Sequence, residues 1–195
     1  MILTRNPVWP DTTWEYSQCP RPYSRILTAY HEAGHAVAAA VLEIPFLSVT
    51  IIPGDGFSGY LSWVPHGTRI TLEEFLKRMV VTESGGRATD MLTNGRHTIE
   101  EWQPDGSLRL WGTGNTGDIE NNVERIKTLA SHYGLECGLE FTFQMLNLYT
   151  VASTKLLCSH WPAVIRVAEK LLERKTLTED EVHELMSPVL SGVAG

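Results

Sequence analysis

Two histidines lie four residues apart in the segment AYHEAGHAV (29–37), and a glutamate directly follows the first of them. Residues i and i+4 of a helix share one face, so His31 and His35 can both reach one metal ion. Glu32 lies about 100° around the helix from His31, where its carboxylate can reach a water on that ion without binding the metal. Zinc accepts such ligands and lowers the pKa of a bound water towards about 7. The pattern therefore predicts a hydrolytic zinc site with Glu32 as its general base.

A pattern of only three fixed positions also arises by chance, so the zinc hypothesis needs a third ligand. Asp118 is the acidic candidate, because it follows the segment GTGNTG and begins a predicted helix, where a loop could direct its carboxylate inward. Asp is also a favoured N-cap residue, and on these grounds alone Asp118 can be either a ligand or a helix cap. The remaining histidines are isolated, which is typical of surface or hydrogen-bonded histidines. They are His66, His97, His132, His160 and His183.

The helix that would carry the two histidines is predicted at 24–43, with Ser24 as its N-cap and Pro45 just beyond its end. Gly34 lies in the interior of this helix, where glycine costs about 1 kcal/mol relative to alanine. Its presence indicates that another element packs closely against that side of the helix.

The other segments predict further helices and a small amount of sheet. In chain order, the predictions are strands at 46–52 and 59–64, a helix at 71–93, a hairpin at 98–112, a helix ending near Gly134, and helices at 138–158, 161–175 and 178–190. Capping boxes formed by Thr71 with Glu74 and by Thr178 with Glu181 support two of the helix starts. The predicted fold class is mostly α, with a small β element (α+β).

The composition of the chain excludes some classes of function. The chain has 195 residues and a net charge of −7, and its basic residues are scattered, so no basic stripe for nucleic acid is present. No apolar run is long enough to span a bilayer and no signal peptide is visible, which predicts a cytoplasmic protein without a membrane segment. Cys19, Cys137 and Cys158 form no disulfide pattern, and we expect them to be small buried residues.

Five segments resemble the peptidase domain of the FtsH-type, ATP-dependent zinc metalloproteases, in the same order. They are AYHEAGHAV, VTIIPGDGFSGY, GGRATDML, TGNTGDIENNVERIKTLASHYGL and AEKLLERKTLTEDEV. The resemblance implies a helical, zincin-like peptidase domain, which we place at 23–195. The four prolines among residues 1–22 predict an extended N-terminal arm before it. The resemblance also implies that Zn²⁺ is the cofactor and that Asp118 is its third ligand, beside His31 and His35.

The sequence departs from this family in two respects. The nucleotide-binding pattern GxxxxGK[ST] does not occur in these 195 residues, so no ATPase module is visible. Residues 95–112 look like an insertion relative to the family, and Asn115 and Gly117 replace the family's Ala and Asn next to the expected ligand. These changes bear on the geometry of the loop that carries Asp118.

The sequence thus predicts a zinc metalloendopeptidase that hydrolyses unfolded or small polypeptides without an ATPase of its own. The substrate could add to the edge of the strands at 48–52 and 57–63, or these strands could merely cover the helix. A separate ATPase or a second copy of the chain would be the partner. The alternative is a non-catalytic, zinc-stabilised partner or regulator of a separate ATPase. An intact Glu32 argues against it, because a structural site needs no base.

Overall fold

The computed structural model describes residues 21–54, 58–64, 70–95, 99–102, 108–111 and 116–187. Its elements are α1 (Arg21–Val41), β1 (Phe46–Thr50), β2 (Tyr60–Trp63), α2 (Leu72–Thr93), β3 (Ile99–Trp102), β4 (Leu108–Trp111), α3 (Thr116–His132), α4 (Leu139–Arg174), β5 (Thr176–Thr178) and α5 (Glu179–Met186). The predicted class, mostly α with a small β element, is confirmed. The predicted N-terminal arm (1–22) lies outside the described residues, apart from its last two positions.

Helix α1 is the centre of the fold, packed against α2, α4, α5 and the sheet. Its buried residues are mostly small, and alanines at 33, 36, 38 and 39 let the neighbouring helices approach closely. The close packing predicted at Gly34 is confirmed, because a Cβ there would lie 2.5 Å from the Ser84 carbonyl oxygen on α2. The helix begins at Arg21, three residues before the expected cap Ser24. Pro22 suits this earlier start, since the first turn of a helix needs no N–H from proline.

A three-stranded antiparallel sheet in the order β2-β1-β5 lies beside α1. Val49 of β1 lies opposite Leu61 of β2 on one side and Leu177 of β5 on the other. The β1–β2 pair agrees with the sequence prediction, whereas β5 was not predicted. Strand β5 is only three residues long, too short for an alternating pattern to be recognised. The predicted hairpin is also present, as the antiparallel pair of β3 and β4.

The long element α4 agrees with the sequence prediction. Two helices were expected at 138–158 and 161–175, and α4 consists of two helices that meet at a kink at His160, whose backbone is not helical. His160 has φ −119° and ψ 15°, and Pro162 follows two residues later. Proline lacks an N–H and its ring crowds the carbonyl four residues earlier, which disfavours a straight continuous helix and fits a junction between two helices here. The buried residues on both sides of the kink continue to pack in the interior of the protein.

The remaining helices agree with the sequence at their starts. The Thr71 hydroxyl accepts a hydrogen bond from the Glu74 amide (3.1 Å), and Thr178 forms the expected capping box with Glu181. Helix α5 ends at Met186, and the predicted continuation to 190 lies partly outside the described residues. No helix of the described residues is long and apolar enough to cross a membrane.

The expectation that the cysteines are buried is wrong for Cys158, which is exposed on α4. Cys137 is half-buried, with its sulfur 3.5 Å from the Thr142 hydroxyl. Cys19 lies outside the described residues. Burial of a cysteine depends on which face of its element meets the core, and the helical pattern around residue 158 did not define that face.

Candidate metal centre

Three side chains from two helices meet at the centre of the fold. His31 Nε2 lies 3.0 Å from Asp118 Oδ2, and His35 Nε2 lies 3.3 Å from the same oxygen. The two Nε2 atoms are 3.0 Å apart. Both histidines are 7% exposed, and the Asp118 side chain is 19% exposed. The structure therefore brings together the two histidines and the distant aspartate that the sequence singled out.

A backbone carbonyl of α2 sets the orientation of His35. Its Nδ1 lies 2.8 Å from the Val81 carbonyl oxygen, which can only accept a hydrogen bond, so Nδ1 carries the proton. In neutral His35 the lone pair then lies on Nε2, directed at His31 and Asp118. This is the arrangement by which a ligating histidine is usually fixed in proteins.

Helix α3 is anchored to α2 so that Asp118 reaches the histidines. Asn122, fully buried one turn after Asp118, donates its side-chain amide to the Met79 carbonyl (3.2 Å). Arg125, on the same side of α3, donates to the Thr82 hydroxyl (2.5 Å). Because α3 begins at Thr116, Asp118 lies inside the first turn and is not the N-cap. A carboxylate in this position is also favoured by the positive end of the helix dipole.

Glu32 lies beside this cluster and is 4% exposed. Its side chain faces the start of β2, where a Cβ on Gly59 would lie 2.8 Å from Glu32 Oε1. Burial raises the pKa of Glu32 above its ordinary value, while the neighbouring histidines oppose the shift and Asp118 adds to it. A carboxylate with a raised pKa is a stronger base than a solvated one, which suits a group that must accept a proton.

The electrostatics of the cluster favour positive charge at its centre. Burial on its own would lower the pKa of His35, but the charge of Asp118 and its neighbours raises it to about 9. Burial would conversely raise the pKa of Asp118, yet the two histidines hold it well below its usual range. The site therefore stabilises a cation between these groups, either as a proton on a histidine or as a metal ion in its place.

These donors fit zinc. A tetrahedral ion with bonds of about 2.0–2.1 Å has ligand atoms about 3.3 Å apart, and the three observed separations are 3.0, 3.0 and 3.3 Å. Two nitrogens and one carboxylate oxygen are a ligand set that catalytic zinc commonly uses. His31 Nδ1 and Glu32 Oε2 are buried without a hydrogen-bond partner among the described residues, and Asp118 Oδ2 is buried against the two histidine nitrogens. Unsatisfied buried polar atoms in one cluster indicate a missing ion or ligand.

Gly85 on α2 is a part of the site whose role the sequence did not indicate. A Cβ at this position would lie 2.4 Å from His35 Nε2 and 2.8 Å from His31 Cε1. Only glycine lets α2 pass this close to the histidine rings. The signal in the sequence was the pair Gly85-Gly86 inside a predicted helix, where each glycine costs about 1 kcal/mol.

The other histidines lie apart from the centre where the structure describes them. His160 Nδ1 is 2.9 Å from the Leu156 carbonyl oxygen, and the His132 ring packs edge-on against Tyr133. His183 is exposed and 4.0 Å from Glu179. These surroundings agree with the interpretation as surface or hydrogen-bonded histidines. His66 and His97 lie outside the described residues.

The sequence is similar to that of known proteins. The chain is 31% identical over 188 residues to ATP-dependent zinc metalloprotease FtsH 3 of Symbiobacterium thermophilum, covering 84% of this chain and 30% of the relative. It is 29% identical to ATP-dependent zinc metalloprotease FtsH of Acidimicrobium ferrooxidans (81% of this chain, 27% of the relative). It is 27% identical to YTA10, a mitochondrial inner membrane m-AAA protease component of Saccharomyces cerevisiae (82% and 23%).

The chain thus spans less than a third of the length of these relatives. The model of peptidase family M41 matches residues 19–142, well over half of the chain, and this range includes α1, α2, the whole of α3 and the start of α4. The matched segment contains both histidines, Glu32 and Asp118. The chain belongs to peptidase family M41.

Proposed function

We propose that this chain is a zinc metallopeptidase in which His31, His35 and Asp118 hold the metal and Glu32 is the general base. The observation that carries the proposal is the triangle of two histidine nitrogens and one carboxylate oxygen, with edges of 3.0–3.3 Å, beside a buried carboxylate. The relatives named as zinc metalloproteases support the identity of the metal. When bound, zinc supplies a Lewis acid that polarises a carbonyl group and lowers the pKa of water.

Each side chain of the site has a separate task. The Val81 carbonyl holds His35 with Nε2 directed into the site, and α3 holds Asp118 against both histidines. Glu32 accepts the proton of the attacking water and returns it to the leaving amine, which the raised pKa of its carboxyl favours. α2 and the start of β2 pack closely against the site, and His31, Glu32 and His35 are buried there.

We further propose that substrates are unfolded or small polypeptides bound in an extended conformation. Among the described strands, β1 is paired on both sides, which excludes the 48–52 strand as an edge and leaves β2 with an unpaired edge. Gly59, the residue directly before β2, lies next to the Glu32 side chain. An extended peptide added to β2 would form main-chain hydrogen bonds that demand little of its sequence.

The alternative is a zinc-stabilised partner or regulator of a separate ATPase that hydrolyses nothing. Burying a carboxylate costs free energy unless the group is paired, and Glu32 Oε2 has no hydrogen-bond partner among the described residues. A purely structural zinc site would gain nothing from this cost. A regulator would bind zinc and be stabilised by it, but would cleave no peptide.

The metal is tested by the zinc content of the purified protein. We expect about one equivalent in the wild type and little in a His31→Ala, His35→Ala double variant, because two of three ligands are lost. His183→Ala is the matched control, since His183 is exposed on α5. Full zinc occupancy in the double variant would contradict the proposed site.

A further inference from the structure

A basic cavity opens next to the proposed base. It has a volume of about 410 Å³ and lies between the start of α1, the end of β1, the residues before β2 and the end of α4. Arg25 and Lys175 line it together with the hydroxyl residues Thr28 and Ser58. The opposite wall is apolar and consists of Ile51, Ile52 and Pro53.

The two cations of this cavity have no acidic partner among the residues that the structure describes. No described Asp or Glu lines the cavity, and neither Arg25 nor Lys175 forms an ion pair there. Many basic side chains elsewhere are paired with a carboxylate: Lys77, Arg78, Arg87, Lys127, Lys170 and Arg174. Two unpaired cations that line one cavity, in a protein with a net charge of −7, form a local site for an anion.

Contacts with the backbone fix the Arg25 side chain and the main chain of Lys175. The Arg25 guanidinium donates through Nη2 to the Leu172 carbonyl (2.9 Å), which leaves its other N–H groups for a ligand. Lys175 ends α4 in the left-handed conformation (φ 69°), and its carbonyl accepts a hydrogen bond from the Ile51 amide (2.9 Å). The point from which the lysine side chain projects is therefore fixed relative to the sheet.

The cavity is adjacent to the proposed site of hydrolysis. Thr28 precedes Glu32 by four residues on α1, a rise of about 6 Å along the helix axis. Ser58 directly precedes Gly59, which touches the Glu32 side chain. An extended peptide advances about 3.3 Å per residue, so a substrate on β2 that continues past Gly59 would bring a side chain to the Ser58 end of the cavity within about two residues of the cleaved bond.

We propose that this cavity binds the carboxylate of a glutamate or aspartate side chain in the substrate, within two residues of the cleaved bond. The proposal rests on the proposed peptidase function and adds a substrate preference to it. Arg25 and Lys175 bind the carboxylate, Thr28 and Ser58 line its path, and Ile52 and Pro53 contact the methylene groups of the side chain. The cations are solvent-exposed, so we expect a lowering of KM of about three- to tenfold and not an absolute requirement.

The test uses fluorogenic peptides of neutral sequence with an amidated C-terminus. Glu, Gln or Lys is placed in turn at each of the two positions on either side of the cleaved bond. We expect Glu at one of these positions to lower KM relative to Gln, with kcat little changed, and the difference to shrink at high salt. The preference should disappear in Arg25→Gln and reverse towards the Lys peptide in an Arg25→Glu, Lys175→Glu double variant.

Lys155→Glu is the control, because it changes the charge of α4 outside the cavity. Equal KM values for Glu and Gln at all four positions would overturn the proposal. So would a preference that survives the Arg25→Glu, Lys175→Glu double variant, or one that appears only with a free C-terminal carboxylate, since the ligand would then be a chain end.

A measurement of peptide binding tests the proposed carboxylate site separately from the proposed hydrolysis. If no peptide is cleaved, the proposed function fails, and the affinity of zinc-loaded Glu32→Gln protein for fluorescent Glu and Gln peptides still tests the cavity. Tighter binding of the Glu peptide, lost on adding Lys175→Glu, would support the cavity independently of catalysis. Equal binding of both peptides would overturn it.

Discussion

Burial and orientation distinguish the four residues of the site from chemically identical residues elsewhere in the chain. Glu32 is 4% exposed and close to two histidines, whereas glutamates such as Glu124 lie on the surface in ion pairs. His35 has its Nδ1 proton fixed by the Val81 carbonyl, whereas His183 is exposed and lies 4.0 Å from the Glu179 carboxylate. The same side chains therefore have different chemistry because α1 places one set in the interior.

At this scale, Asp118→Asn tests the third ligand. Asparagine has nearly the same shape but no charge, so we expect zinc affinity and peptide hydrolysis to fall together. The loss should exceed the roughly 10- to 100-fold that is typical of a residue that only orients a ligand. Chelator competition measures the affinity. Asp180→Asn, an exposed change in the first turn of α5, is the control, and an Asp118→Asn protein with unchanged zinc affinity would rule out Asp118 as a ligand.

The elements around the site meet through close contacts at glycine. Gly34 lets α1 and α2 approach, Gly85 lets α2 pass the histidine rings, and Gly59 lets the start of β2 touch Glu32. At each of these positions a Cβ would come within 2.8 Å of atoms of another element. The geometry of the site therefore depends on the close packing of α1, α2 and the start of β2.

Gly85→Ala tests this close approach. Alanine normally stabilises a helix by about 1 kcal/mol relative to glycine, but here its methyl group would lie 2.4 Å from His35 Nε2. We expect the ring to be displaced and zinc affinity to fall at least about tenfold. Gly117→Ala is the matched control, because it precedes Asp118 in a helix and its Cβ would meet nothing within 4 Å. Equal zinc affinity in the two variants would contradict the account.

The sequence predicted most of the helices and strands but not all of the contacts between them. Helix α1, helix α2 with its Thr71 cap, and the β1–β2 pair follow from local periodicity and capping chemistry. Strand β5 could not be predicted, because its three residues are ordered by pairing with β1, which is distant in sequence. The anchoring of α3 by Asn122 and Arg125 is equally long-range, and nothing local to these residues indicates their partners on α2.

For the site, local spacing was sufficient for His31, Glu32 and His35 but not for Asp118. Helical geometry alone places the first three together, since they share one helix. Asp118 is 83 residues beyond His35, and local reasoning left it as either a ligand or a helix cap. The packing of α3 on α2, which brings its carboxylate to both histidines, is a tertiary contact that only the fold reveals.

As a whole molecule, the chain corresponds to a fraction of the length of its relatives, several of which are named as ATP-dependent. The 195 residues contain no GxxxxGK[ST] pattern. We expect hydrolysis of an unfolded protein such as casein by the purified 195-residue chain to be unaffected by ATP. Folded substrates should resist, because nothing in these residues can unfold them. Rates with and without ATP measure this, and a several-fold stimulation by ATP would contradict it.

The most direct test of the account compares zinc content and peptide hydrolysis in Glu32→Gln. The substitution keeps size and shape and removes only the base, and Glu32 is not among the three proposed metal ligands. We predict zinc content and melting temperature close to those of the wild type, with hydrolysis reduced by about 10²- to 10⁴-fold. Unchanged hydrolysis in the zinc-loaded variant would contradict the account, because the activity would then arise elsewhere.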